Sequence, residues 1–128
     1  MRYLADTHIL LWLLKSPEEL SVRALEILED ASAEILISVA TPWEIAIKVG
    51  SGRLNAADIL DNFESLMTRL NFQITEASIP QMIRSGLLPL HHRDPFDRLL
   101  AVQALDLGVP LLSRDDAFDL YGVRRIWA

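Results

Sequence analysis

Four carboxylates fall where chemistry can be built. Asp6 directly follows the apolar opening Tyr3-Leu4-Ala5, and Glu44 comes just past the apolar stretch Ile35-Leu36-Ile37. Asp97 lies in the first turn of a later helical pattern, and Asp115 follows Pro110-Leu111-Leu112-Ser113. Three of the four thus come just after an expected strand, where helices begin. In an open parallel α/β sheet such points converge at the carboxyl edge, where ligand sites form. Acids gathered there repel one another unless a cation sits among them. Hard oxygen ligands suit Mg²⁺ or Mn²⁺, which keep several waters and bind through a few carboxylates plus substrate phosphate. The chemistry indicated is metal-assisted attack on a phosphodiester. A divalent ion activates water and stabilises charge on phosphorus and on the leaving oxygen; two such ions would sit roughly 4 Å apart.

Each position also has a purely structural reading. Asp6 can cap a helix beginning at Thr7 or His8, whereas a charge ending a buried strand is costly unless paired or on metal. Thr41-x-x-Glu44 has the form of a capping box, and Glu44 precedes Lys48 in the favourable i to i+4 order. Asp94 reads as the cap that makes Asp97 the third helical residue, where an acid suits the dipole and stays ionised as a ligand must. Asp115 and Asp116 are adjacent and either can cap; Asp115 is nearer the strand end and is assigned to the site. Ser113 brings a hydroxyl to the same edge, for a ligand, a water or a turn. His91-His92 reads as a polar loop, because adjacent side chains rarely chelate one ion well. Trp12, Trp43 and Trp127 sit in apolar patterns and read as core. No H-E-x-x-H, Walker loop or G-x-G-x-x-G is present.

The elements that must hold these residues alternate. Residues 2–6 read as a buried strand, 7–15 as a helix broken by Ser16-Pro17, and 21–31 as an amphipathic helix. A strand at 35–39 leads to a helix capped by Thr41, with Pro42 at its first position and its end at Gly50-Ser51-Gly52. Asn55 is the expected cap of a helix over 56–70. A strand at 72–75, a short helix over 78–85 closed by Gly86, and a loop over 87–93 follow. Then come a strong helix over 95–107 closed by Gly108, a strand at 109–113, a short helix at 116–120 and a last strand near 123–127. This alternation predicts an α/β fold: a central, mostly parallel sheet of four or five strands with helices on both faces. The 128 residues are expected to form a single domain, 1–128.

Composition narrows the function class. With 51% hydrophobic and 23% charged residues the chain can build a core. The longest apolar run, 9–14, is far too short to cross a bilayer, no basic-then-apolar leader opens the sequence, and there is no cysteine; a cytoplasmic protein without membrane association is expected. The net charge of −6 argues against holding nucleic acid by charge alone, though not against an enzyme with a local basic rim. The acids of 18–34 read as a solvated helix face. Arg93, Arg98 and Arg114 gather instead beside the later acids.

The segments carrying these acids resemble the motifs of one family. Leu4-Ala5-Asp6-Thr7-His8-Ile9-Leu10-Leu11-Trp12 looks like the opening motif of PIN-domain ribonucleases of the VapC toxin type. Ser38-Val39-Ala40-Thr41-Pro42-Trp43-Glu44-Ile45-Ala46-Ile47-Lys48 resembles their second motif, with Thr41 where Ser is often found. Leu90-His91-His92-Arg93-Asp94-Pro95-Phe96-Asp97-Arg98-Leu99-Leu100-Ala101 resembles the third. Leu112-Ser113-Arg114-Asp115, with Phe118 and Tyr121-Gly122-Val123, resembles the fourth.

The resemblance implies a PIN-like fold and a Mg²⁺-dependent endoribonuclease, with Mn²⁺ a possible substitute, acting as the toxin of a type II toxin–antitoxin pair. It implies Asp6, Glu44, Asp97 and Asp115 as the acidic cluster, with Asp6 and Asp97 as principal metal ligands. Thr7 and Ser113 would support the site. Arg98 and Arg114, with Arg93 or Lys48 as further candidates, would contact substrate phosphate. An RNA substrate, a cognate antitoxin covering the cleft and a homodimer are the partners implied. Two rival readings stand beside it. One is another Mg²⁺-dependent phosphoesterase; a haloacid-dehalogenase type wants an acid where His8 stands, and a receiver domain wants a late Lys that is missing after Lys48. The other is a non-catalytic PIN-like module that binds RNA or protein.

Overall fold

The computed structural model describes residues 1–128. Five strands, β1 (Arg2–Ala5), β2 (Glu34–Ser38), β3 (Gln73–Thr75), β4 (Leu111–Leu112) and β5 (Arg125–Ile126), form one sheet in the order β3-β2-β1-β4-β5. Every pairing is parallel. The chain moves outward from β1 through β2 to β3, then crosses to the far side of β1 for β4 and β5. The reversal of direction between β1 and β4 opens a crevice at the carboxyl ends of the strands, where such sheets bind ligands.

Side-chain alternation divides the core into two layers. Ala5, Ile35, Ile37, Leu112 and Ile126 point to one face, where they meet Ile9 and Leu10 of α1 (Thr7–Lys15), Ala24 of α2 (Val22–Glu29) and Ile45 of α3 (Ala40–Gly50). Ile59 of α4 (Ala57–Leu60) and Met67 of α5 (Phe63–Arg69) complete that layer. Leu4, Leu36 and Leu111 point the other way, onto Leu100, Ala101 and Ala104 of α7 (Pro95–Leu107), with Phe118 and Val123. Strands buried on both faces have no polar side, so their sequence reads as a short apolar run. Outside this second layer α6 (Ile79–Leu87) packs along α7, with Arg84 paired to Asp106 at 2.7 Å. No helix is long and apolar enough to cross a membrane.

Several boundaries follow local chemistry as expected. Asp94 Oδ1 accepts from the Phe96 N–H at 2.8 Å, Pro95 takes the first helical position, and Gly108 ends α7 in the left-handed region at φ 65°. Others differ. The helix expected over 56–70 is two, α4 and α5, separated at Asp61-Asn62, two poor helix formers whose side chains make no capping bond there. Ala56, not Asn55, precedes it, without a side-chain cap. α6 is capped by a reciprocal Ser78–Gln81 box and runs through Gly86 to Leu87 instead of stopping at Ser85.

Thr41 is not a cap either. α3 begins at Ala40, whose N–H bonds to Ser38 Oγ at 3.1 Å, so Pro42 sits in the first turn, where a missing N–H costs nothing, and Glu44 lies beyond it. Glu44 is thereby released from the capping role and turned inward. Trp43, expected in the core, is 57% exposed and meets Phe96 edge-on at 5.0 Å.

Candidate metal centre

β1 delivers Asp6 to the crevice. Its N–H bonds to the Leu112 carbonyl at 3.1 Å, which ties the end of β1 to β4. Its two carboxylate oxygens then divide the work that the sequence left open between cap and ligand. Oδ1 accepts from the Ile9 N–H at 3.0 Å and starts α1; Oδ2 accepts a short hydrogen bond from the Ser113 hydroxyl at the end of β4. The residue is only 5% exposed, and burial pushes its carboxyl above the usual range despite those two donors.

Glu44 is buried one turn inside α3. Oε1 accepts from the Thr7 hydroxyl at 2.5 Å, and Oε2 pairs with Lys48 at 2.8 Å. Both oxygens are thus held, one from α1 and one from its own helix. A buried carboxylate left without either partner would be costly.

Asp97 enters from the other layer, in the first turn of α7. Burial and then the like charges of Asp94, Asp6, Glu44 and Asp115 push its carboxyl up to about 8. That Coulombic coupling is the clearest sign that four acids far apart in sequence converge on one spot. Asp115 completes the group. Its N–H donates to Ser113 Oγ at 3.0 Å and its Oδ1 caps the 3₁₀ turn Asp116–Tyr121 through the Ala117 N–H at 3.0 Å. Asp116 lines the same groove without these bonds.

The residue that the sequence reading passed over is His92. Its Nε2 lies 2.6 Å from Asp115 Oδ2 and 2.9 Å from Asp97 Oδ2, and the three ligand atoms fall within 4.8 Å of one another. Nδ1 faces the Asp94 N–H at 3.3 Å, which assigns the ring proton to Nε2 and makes the imidazole a donor to the acids. The ring packs on Phe118, and the Tyr121 hydroxyl accepts from the His92 backbone N–H at 2.9 Å while donating to the Pro89 carbonyl at 2.6 Å. The available signal was position: His92 stands two residues before the helix cap Asp94, close enough to fold back over the first turn.

The expected phosphate-binding arginines divide. Arg114 is exposed, with its guanidinium 5.9 Å from the Trp12 ring centre, and lines the groove that holds Asp6 and Asp115. Arg98 is used differently from the expectation. Its Nε donates to the Ser85 carbonyl at 3.1 Å and Nη1 to the His92 and Arg93 carbonyls at 3.1 and 3.0 Å. It braces the loop that carries His92 rather than facing the acids.

The donor set fits a hard divalent cation. Its atoms are carboxylate oxygens, they crowd enough to drive a proton onto Asp97 when no cation balances them, and hydroxyls or a lysine already orient Asp6 and Glu44.

The family profile described as PIN domain matches residues 3–123. No curated protein sequence matches the chain. Among solved structures, a chain of FitAB bound to an IR36 DNA fragment aligns with a TM-score of 0.66 at 21% identity, over 97% of this chain and 93% of that one. A chain of VapBC2 from Rickettsia felis, bound to a DNA fragment from their promoter, aligns at 0.66 and 17% identity over 100% of both chains. A chain of VapBC-1 from nontypeable Haemophilus influenzae aligns at 0.65 and 19% identity over 98% and 97%. At these identities the likeness establishes a shared fold.

Proposed function

Given that the chain belongs to the PIN-domain family, we propose that it is a divalent-metal-dependent endoribonuclease, the toxin of a toxin–antitoxin pair. The observation that carries the enzymatic reading is the carboxylate cluster itself. Four acids meet at the switch point of the sheet, and Asp97 is pushed up to about 8 by burial and by its neighbours. Such crowding destabilises a metal-free protein and is retained where a cation is to be held.

Asp6 and Asp97 would hold the ion, Mg²⁺ or in its place Mn²⁺, with Glu44 and Asp115 completing the cluster. The bound ion supplies positive charge against the phosphate oxygens and a nucleophile at neutral pH. The chain's own groups do the positioning. Ser113 orients Asp6 through its hydroxyl, Thr7 and Lys48 fix the two oxygens of Glu44, and His92 holds Asp115 against Asp97. Arg114, which lines the rim of the groove, would meet a phosphate of the substrate strand.

The toxin reading draws on the VapC-type motifs and on the fold shared with chains of VapBC and FitAB assemblies. An antitoxin that covers the acidic cleft and a cytoplasmic setting belong to it. So does a homodimer, supported by an exposed apolar stripe on α6: Ile79, Met82, Ile83 and Leu87 recur at helical spacing on one face. We read residues 1–128 as one domain.

The test is incubation of the purified, partner-free protein with total cellular RNA, in Mg²⁺ or in chelator, beside Asp6→Asn and Asp97→Asn. Cleavage is expected only for the unsubstituted protein with metal. Cleavage that persists in chelator, or in both variants, defeats the mechanism.

A further inference from the structure

A second cleft adjoins the acidic groove, and its chemistry is the opposite. The groove, of about 380 Å³, is lined by Asp6, Asp115 and Asp116 with Arg114, His8 and Trp12. The neighbouring cleft, of about 550 Å³, shares His8 and Trp12 with it, so the two run into one another. Lys15, Lys48 and Arg53 line this cleft and no Asp or Glu does. In a chain of net charge −6 that is a local reversal of sign.

The three cations are not equally available. Lys15 is held by Asp58 at 2.6 Å and Lys48 by Glu44 at 2.8 Å. Arg53 has no carboxylate partner; its Nε donates to Ser51 Oγ at 2.8 Å and leaves the two terminal nitrogens of the guanidinium free, a fork suited to phosphate. Lys48 marks the boundary, because the ammonium that pairs with Glu44 of the acid cluster also lines the cleft. Trp12 is half-buried, propped by His8 at 5.6 Å and Trp127 at 5.9 Å between ring centres. Asn55 lines the cleft with an amide that makes no hydrogen bond to the protein.

We infer that this cleft is a subsite for one unpaired nucleotide of single-stranded RNA next to the scissile phosphate, its base on Trp12 and its phosphate on Arg53 and Lys48. The inference rests on the nuclease reading and names the form of its substrate. An indole between a cationic cleft and an acidic groove is the arrangement by which single strands are held: backbone charge tracks the cations and a base stacks on the ring, with little preference for sequence. A volume of about 550 Å³ is in the range of pockets that take small organic ligands. Bases in a duplex are stacked on one another and cannot reach the indole. Asn55 is available to bond the base edge or the 2′-hydroxyl.

The test is binding in chelator, so that nothing is cut. A fluorescein-labelled single-stranded pentaribonucleotide pool is titrated with the full chain, with Trp12→Leu, with Trp12→Phe and with Arg53→Glu. The unsubstituted protein is expected to bind the single strand and to prefer it to a blunt RNA duplex of about twelve base pairs, long enough to stay paired. Affinity is expected to fall about tenfold or more in Trp12→Leu, to be largely kept in Trp12→Phe, which retains a stacking face, and to fall about tenfold in Arg53→Glu. Arg53 is exposed and contacts only Ser51, so that variant reads binding without a loss of core packing. Unchanged affinity in Arg53→Glu, equal binding of duplex, or tighter binding of an acidic decapeptide than of the RNA overturns the subsite. A protein that cleaves RNA with the same KM in Trp12→Leu and Arg53→Glu also overturns it while leaving the nuclease reading intact. Specific binding without cleavage in Mg²⁺ sinks the nuclease reading and leaves the subsite standing.

Discussion

His92 Nε2 lies 2.6 Å from Asp115 Oδ2, so a loop histidine supplies the only hydrogen bond that the outer oxygen of this acid receives from the protein. The same nitrogen is 2.9 Å from Asp97. The imidazole therefore draws together two carboxylates that otherwise repel.

Replacing that ring should loosen the metal-free cluster. His92→Ala is expected to lower the melting temperature in chelator by a few degrees, corresponding to about 1–2 kcal/mol for a lost bond to partly exposed acids. Saturating Mg²⁺ is expected to restore most of the loss, since a cation does the same work. Scanning calorimetry with and without Mg²⁺ checks both parts; an unchanged melting temperature in chelator would show that the ring is not a brace.

The acid cluster should also couple stability to pH. Asp97 is pushed up to about 8 in the folded chain against 3.8 for an ordinary aspartate. Between those values the folded state holds a proton that the unfolded state has lost, so the contribution of Asp97 to stability is fullest below about 4 and declines as pH rises toward 8. Mg²⁺ replaces that proton, so the stabilisation it confers should grow over the same window. Urea melts at several pH values, with Mg²⁺ or chelator, measure this, and Asp97→Asn should flatten the slope. A metal-free protein that gains stability from pH 5 to 8 contradicts the assignment.

Loss of a principal ligand should cost more than loss of a supporting residue. Asp6→Asn and Asp97→Asn are each expected to reduce RNA cleavage by at least about 100-fold, beyond the roughly 10–100-fold typical of a residue that only orients a ligand. Asn at position 6 can still accept from the Ile9 N–H, so the fold is retained and calorimetric Mg²⁺ binding can be read separately from activity. Near-normal Mg²⁺ affinity in both variants would move the ion elsewhere.

Thr7→Val tests how Glu44 is held. The substitution keeps the shape and removes the hydroxyl that donates at 2.5 Å, leaving Glu44 Oε1 buried without a partner. A loss of about 1–3 kcal/mol is expected in chemical denaturation. Thr7→Ser, which restores a donor, should recover most of it; equal stability of the Val and Ser variants would mean that the bond contributes little.

The stripe on α6 makes the homodimer testable. Ile83→Glu places a charge amid Ile79, Met82 and Leu87 and should convert a dimer into a species near the chain mass of 14.4 kDa by sedimentation equilibrium. An unsubstituted protein that already sediments at that mass across the concentration range rules the dimer out.

How far the structure could be read in advance depended on whether the cause was local. α7 keeps its expected limits because Asp94, Pro95 and Gly108 act on the backbone within one turn. The strand alternation was legible too, since each apolar run is buried by both layers. The convergence of Asp6, Glu44 and Asp115 followed from topology, because strand ends meet at one edge, while Asp97 joins them from the first turn of α7. The misjudged features were decided by partners and breaks that apolar spacing does not register. Glu44 looked like part of a capping box until Thr7, 37 positions away, supplied its hydrogen bond. Asp61-Asn62 broke a helix whose apolar spacing favoured continuity. His92 gained its role only when the 3₁₀ turn carried Asp115 to it, and Arg98 was drawn from the acids to one carbonyl of α6 and two of the loop before α7.

The bond from Ser113 to Asp6 spans 107 positions, and β1 takes β4 as its neighbour only across the segments that carry β2 and β3. Asp6 and Asp115 are thus brought together by a long-range closure and not by local chain geometry. Until β4 docks, Asp6 lacks its hydroxyl partner, the crevice lacks a wall and Asp97 lacks its neighbour across it. A chain in which β4 has not yet paired with β1 therefore has no gathered acid cluster, and the crevice is among the last features of the fold to close.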